Sequence, residues 1–196
     1  MRTRGSDRKT LPIKVRIASL LRQVSRTAIT LALAALLIPA VAQAGADGPP
    51  ASMPALSLIS LDGAAVRSQD WLGGRPAVVN IWATWCAPCR TEMPSLQRLE
   101  ALLAPDGIRV LALSVDTDHN LVREFLLKYG IKLPVSIAGS PSQAMTALGV
   151  VALPQTLYVG ADGRILGSHL GQRDWADAAT VRDVRSRFPA AASRKR

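Results

Sequence analysis

Cysteine is scarce in this sequence: Cys86 and Cys89 are the two among 196 residues. Two cannot build the cross-linked framework of a disulfide-rich domain or a Cys-rich zinc module. Histidine is equally scarce, and His119 and His169 lie far from the cysteines, at no zinc-finger spacing. No internal repeat or low-complexity block interrupts the chain. Its 48% hydrophobic and 19% charged residues are ordinary for a globular protein, which excludes long disorder, collagen and coiled coil. A basic nucleic-acid groove is also missing, although the net charge is +10. Residues 1–44 carry net +7 and the tail from Arg182 net +5, whereas 45–181 carry net −2. The excess sits at the two ends, so no nucleic-acid partner is expected.

The N-terminal excess has its own pattern. Eight basic residues within 2–26 precede an uncharged apolar run at 28–42, then Ala42-Gln43-Ala44. A positive region, a short apolar run and a small-x-small site together read as a secretory signal. The run has 15 residues, short of the ~20 that span a bilayer comfortably, and Pro39 interrupts it. A buried core helix is the bland alternative, but the run has no polar face and is flanked by charge on one side. An uncleaved anchor, tethering the protein through residues 28–42, is the stronger alternative. Cleavage after Ala44 is the favoured reading. Both place the rest of the chain in an oxidising compartment, so a periplasmic location is expected, with a membrane-anchored form facing the periplasm as the alternative.

Residues 45–54, with three prolines and two glycines, read as a linker. The body, 55–188, alternates strand and helix signals, and 189–196 form a basic tail. Leu56 to Leu61 alternates and runs into Asp62-Gly63, predicting a hairpin that returns over Ala64 to Arg67. Pro76 to Trp82 and Ile108 to Val115 are near-continuous apolar runs, as in strands covered on both faces. Helical spacing marks Cys89 to Leu103. Asn120 to Tyr129 reads as a helix with Leu121, Phe125 and Leu126 on one face. A short broken segment, Lys132 to Ile137, and a short helix, Ser142 to Leu148, follow. Thr156 to Val159 and Arg164 to His169 are strands joined by Asp162-Gly163. Asp174 to Phe188 is the last helix, with Asp174 as its N-cap candidate. The order implies an α/β domain with a central mixed β-sheet flanked by helices.

The chemistry lies in Trp82-Ala83-Thr84-Trp85-Cys86-Ala87-Pro88-Cys89, where a buried strand ends and a helix begins. Two intervening residues put both sulfurs on the first helical turn, close enough to bond. The helix N-terminus offers unpaired N–H groups and a partial positive charge, which favour thiolate, the nucleophilic form. Cys86 is the expected attacking residue and Cys89 the resolving one. A purely structural disulfide is a poor alternative, because closing so short a loop removes little unfolded-state entropy. No metal site is expected.

The segment WATWCAPCR-TEMPSL resembles the thioredoxin superfamily, and more narrowly its exported TlpA/ResA-like branch. Leu56 to Arg67 resembles the N-terminal hairpin of that branch, and Gly73-Gly74-Arg75-Pro76 its approach to the first core strand. Gly149 to Thr156 (GVVALPQT) resembles its cis-proline loop, and Gly171 to Trp175 the G-x-x-x-W opening of its last helix. The resemblance covers roughly 53–188. It implies a thioredoxin fold with an N-terminal β-hairpin extension, and a cis Pro154 facing the cysteine pair. It also implies that Trp85, Pro88, Leu153 and Pro154 meet the substrate, with the backbone of Leu153 pairing with a substrate strand. Asn80 stands where cytoplasmic thioredoxins carry a buried Asp. Glu92 is a candidate substitute for that proton-transfer group, although on a helix three residues beyond Cys89 it reads first as a solvated face residue.

The implied activity is thiol:disulfide oxidoreduction without a cofactor. The favoured direction is reduction of cysteine pairs in exported proteins, such as apocytochrome c or copper-site proteins. A membrane electron-transfer protein would supply the electrons. A disulfide-forming oxidant is the alternative within the same chemistry, and a Cu(I) metallochaperone using both cysteines is the alternative from another class.

Overall fold

The computed structural model describes residues 48–188. The expected signal or anchor at 1–44, the first part of the linker at 45–47 and the basic tail at 189–196 lie outside the described residues. Among the described residues, no helix is long and apolar enough to cross a membrane.

Seven strands form one sheet in the order β2-β1-β5-β4-β3-β6-β7. The first hairpin is β1 (Ser57–Ser60) and β2 (Ala65–Arg67), antiparallel about the Asp62-Gly63 turn. A short helix, α1 (Ser68–Leu72), leads to β3 (Ala77–Trp82). The long helix α2 (Ala87–Leu103) crosses over to β4 (Arg109–Ser114), and α3 (His119–Tyr129) crosses to β5 (Val135–Ala138). Both crossovers join parallel pairs, which need such a connection because a tight turn cannot link parallel strands. Then come α4 (Pro141–Ala147), β6 (Gln155–Val159), β7 (Ile165–Leu170) and α5 (Ala178–Arg187). β6 runs antiparallel to β3 and to β7, and β1 joins the sheet antiparallel to β5. The mixed sheet, its helical cover and the N-terminal hairpin agree with the sequence expectation.

β3 lies near the middle of the sheet, and every residue in it is buried. Its AVVNIW sequence suits that position, since a strand covered on both faces has no solvent side to alternate with. Trp82, at its end, is fully buried and packs on Phe125 of α3 at 5.1 Å between ring centroids. Burying such a side chain contributes on the order of 2–3 kcal/mol.

Three local expectations need correction. The buried face of α3 is Val122, Phe125 and Leu126, and Leu121 is exposed. The helix is one residue longer at its start than expected, and its spacing turns Leu121 outward. The last helix begins at Ala178, capped by Asp177, whose carboxylate accepts from Ala179 N at 2.9 Å and Thr180 N at 3.0 Å. Asp174 accepts only from Ala176 N, two residues on. The cause is Trp175: the chain spends residues 171–177 planting this fully buried side chain in the core before a helix can start. The third correction, Glu92, belongs to the site below. The helix α1 carries too short a signal for sequence periodicity to find.

The described end of the proline-rich stretch is tied down. Met53 N donates to Gly163 O and Ile165 N to Ala51 O, and Met53 is buried. The same stretch passes over Gly149, where φ is +62° and a Cβ would collide with the Gly48 carbonyl.

Candidate active site

β3 delivers the chain to a turn, and α2 begins immediately after it. Cys86 N donates to Ala83 O at 3.2 Å, closing the turn. Cys86 is the N-cap of α2: its backbone is extended and its Sγ accepts from Cys89 N at 3.3 Å. Sulfur here replaces the side-chain oxygen of an ordinary N-cap, so one orphan N–H of the helix points at Cys86. Pro88 stands in the first turn, where its missing N–H costs nothing. Cys86 and Cys89 are joined by a disulfide with S–S 2.06 Å and Cα–Cα 5.3 Å. Cys86 retains 6% exposure and Cys89 none, which matches the expected order of access.

Asp116 fixes the turn from below. It follows β4 and is 2% exposed, and its carboxylate accepts from Thr84 N at 3.0 Å, Thr84 Oγ1 at 2.6 Å and Ser114 Oγ at 2.8 Å. Sequence reasoning passed over it. The available signal was a carboxylate directly after a buried parallel strand, at the strand end where open α/β sheets place their sites.

Glu92 is the second buried carboxylate. It is 1% exposed, not a solvated face residue. Cys89 and Glu92 are three residues apart on α2, so they share a helix face. Oε1 accepts from Asn80 Nδ2 at 2.8 Å, while Oε2 accepts from Trp175 Nε1 at 2.9 Å and Arg173 N at 3.2 Å. Burial pushes its carboxyl above the ordinary value, and the hydrogen bonds from Trp175, Asn80 and Arg173 only partly oppose that. Asn80, buried in the middle of β3, also donates to Thr156 Oγ1 at 3.0 Å. The partners come from two other segments, β3 and the β7–α5 loop, and Glu92 stands at helical spacing with the buried Cys89, Leu96 and Leu99.

The other expected site residues gather at the same end of the sheet. The Leu153–Pro154 peptide is cis. Gln155, the next residue, pairs with Ile81, so the proline loop lies beside the end of β3 from which the cysteine turn emerges. Pro154 is buried, Leu153 half-buried, and Val151 69% exposed. The Gln155 side chain ties its own loop, donating to Gly149 O and accepting from Val151 N. Trp85 is 68% exposed beside Cys86, and Ala87 and Pro88 are exposed with it. The exposed neighbours Trp85, Ala87 and Pro88 are uncharged, and the exposed Arg90 follows Cys89 directly. Of the two histidines, His119 starts α3, and His169 lies on β7 against Trp175 at 5.5 Å between ring centroids. Among the described residues, no cluster of His, Cys, Asp and Glu could hold a metal ion.

Comparison with known proteins agrees with this geometry. A family model described as Redoxin matches residues 46–185. The thiol-disulfide oxidoreductase ResA of Bacillus thuringiensis (strain Al Hakam) is 30% identical over 120 residues, covering 61% of this chain and 68% of the relative. The thiol:disulfide interchange protein DsbE of Pseudomonas fluorescens biotype C is 31% identical over 127 residues, covering 63% and 69%. Among solved structures, a thiol:disulfide interchange protein of the thioredoxin family from Chlorobium tepidum TLS superposes with a TM-score of 0.56 at 28% identity. That match covers 71% of this chain and 99% of the other.

Proposed function

The chain belongs to the Redoxin family and is a thiol-disulfide oxidoreductase of thioredoxin-like fold, and from that premise we propose that it acts outside the cytoplasm as a reductant of protein disulfides. The observation that carries the reading is the Cys86–Cys89 disulfide at the N-terminus of α2, where Cys89 N–H already points at Cys86 Sγ. In the reduced protein that N–H and the helix dipole stabilise a Cys86 thiolate.

The thiolate attacks one sulfur of a substrate disulfide, forms a mixed disulfide and expels the other substrate sulfur as thiolate. Cys89 then loses its proton and attacks Cys86 Sγ, and the Cys86–Cys89 disulfide forms as the second substrate thiolate leaves. Two electrons pass to the substrate, and a dithiol on a membrane electron-transfer protein returns the pair to its reduced state. Glu92, on the Cys89 face of α2, accepts the Cys89 proton, and its raised affinity for protons suits that task.

Trp85, Pro88, Leu153 and Pro154 form the surface on which the substrate lies. Its lack of charge suits extended, unfolded cysteine segments such as the haem- or copper-binding stretches of exported proteins. Residues 1–44 carry the export signal, with retention through 28–42 as the alternative. The Cu(I) carrier reading is weaker, because Met93, the nearest soft side chain along α2, is fully buried in the core. The reduction potential of the Cys86–Cys89 pair against glutathione tests the direction. A value near thioredoxin's, about −270 mV, supports a reductant; one near DsbA's, about −120 mV, makes the protein an oxidant instead.

A further inference from the structure

Buried carboxylates need partners, and Glu92 has them on both sides. Trp175 reaches it from the loop between β7 and α5, and Asn80 from the middle of β3. Trp175 is itself held: its backbone N donates to Ser95 Oγ at 3.1 Å, the Arg173 guanidinium lies over its ring at 5.2 Å, and His169 meets the ring edge-on. Arg173 is anchored on Thr180 Oγ1 and Asp183 of α5.

Asn80 has one loose end. Its Nδ2 donates twice, but its Oδ1 is buried with no hydrogen-bond partner among the described residues. The present orientation serves an ionised Glu92, which can only accept. A protonated Glu92 needs an acceptor, and rotating the Asn80 amide by half a turn supplies Oδ1 in the same place, with the Thr156 hydroxyl free to donate to it as well.

We propose that Trp175 and Asn80 are positioning residues for thiol-disulfide exchange: they clamp the Glu92 carboxylate from opposite sides, and Asn80 serves both of its protonation states by turning its amide over. The proposal rests on Glu92 being the proton acceptor for Cys89. A buried Asp at position 80 could not do this when ionised, having no N–H to give. The charged and titratable groups around Glu92 are Cys86 and Cys89 on α2, Arg173 in the β7–α5 loop with Asp183 of α5 behind it, and His169 beyond Trp175. β3 presents the neutral Asn80, and β6 presents Thr156 and, two residues on along the same face, the buried Tyr158 phenol with the Arg187 guanidinium over its ring.

The test follows the full-length reduced protein reacting with a chromogenic aromatic disulfide. Cys86 releases one coloured thiol on attack, and Cys89 releases the second on resolving the adduct. The rate of the second release is recorded against pH. In parallel, the protein is labelled with glutamate carrying carbon-13 in its side-chain carboxyl and titrated by NMR; with three glutamates in the sequence, Glu92 is readily assigned. Trp175→Phe keeps an aromatic ring and removes the N–H. It is expected to move the Glu92 titration and the matching limb of the rate profile upward by about one pH unit, since a bond to the ionised form is lost. Asn80→Asp should move both upward as well. In a Glu92→Gln background, Trp175→Phe should shift no limb. If Glu92→Gln leaves the wild-type profile unchanged, Glu92 is not the proton acceptor and the clamp falls with it. If Glu92→Gln abolishes the limb but Trp175→Phe and Asn80→Asp move neither the limb nor the NMR titration, Glu92 keeps its role and the clamp is refuted.

Discussion

Replacing Asp116 by asparagine probes how the cysteine turn is held. The carboxylate takes three donors, Thr84 N–H, Thr84 O–H and Ser114 O–H, and is almost completely buried. Asparagine has nearly the same shape but exchanges one acceptor oxygen for an NH2 that faces donors. At least one charge-assisted bond is lost, at about 1.5–3 kcal/mol, and a buried donor is left unpaired. A net loss of about 3 kcal/mol is expected. With a urea slope near 2 kcal/mol/M, the unfolding midpoint should fall by about 1.5 M. Thr84→Val and Ser114→Ala should each cost less, about 1–2 kcal/mol, and should not add fully to Asp116→Asn, because all three remove the same network. Reaction with a protein disulfide should slow as well, since the turn that aims Cys86 is loosened. An Asp116→Asn midpoint within about 0.25 M of wild type would refute the argument that this carboxylate carries the turn.

Three further predictions concern other parts of the fold. Glu92 binds protons more tightly in the folded protein than unfolded, so its stabilising contribution is present below the ordinary glutamate value and lost as pH rises through the raised folded value. The urea midpoint of wild type minus that of Glu92→Gln should therefore fall with pH across that window and be flat outside it. His169 is held below the ordinary histidine value, chiefly by burial and then by the Arg173 charge. Its imidazole NMR signals should titrate below that value, and its contribution to stability, present above the ordinary value, should be lost as pH falls through the depressed one. Gly149→Ala combines a left-handed backbone with a collision against Gly48, so it should lower stability by at least about 1–2 kcal/mol in denaturant titration and free residues 48–53 for faster proteolysis.

Much of the fold was legible because its strongest signals are local. The runs PAVVNIW and IRVLALSV announce doubly covered strands, and Asp62-Gly63 and Asp162-Gly163 mark the two turns. The cysteine turn was legible for the same reason: strand end, CxxC and helix start follow one another within eight residues. What was not legible depends on contacts between distant segments. Glu92 stands at helical spacing with Cys89, Leu96 and Leu99, but the groups that let a carboxylate be buried there, Asn80 of β3 and Trp175 of the β7–α5 loop, are brought to it only by the fold. Asp174 looks like a helix cap until the burial of Trp175 delays the helix to Ala178. Asp116 acquires meaning only when β4 is laid beside β3, which brings it under Thr84.

The central claim is that Cys86 attacks protein disulfides and Cys89 resolves the product. It is tested most directly by purifying full-length Cys89→Ser and Cys86→Ser variants from cells under conditions that block free thiols, and counting their mixed disulfides on non-reducing gels. The account predicts that Cys89→Ser accumulates covalent adducts that dissolve on reduction, and that Cys86→Ser accumulates almost none. Equal trapping by the two variants, or trapping by Cys86→Ser alone, would contradict it.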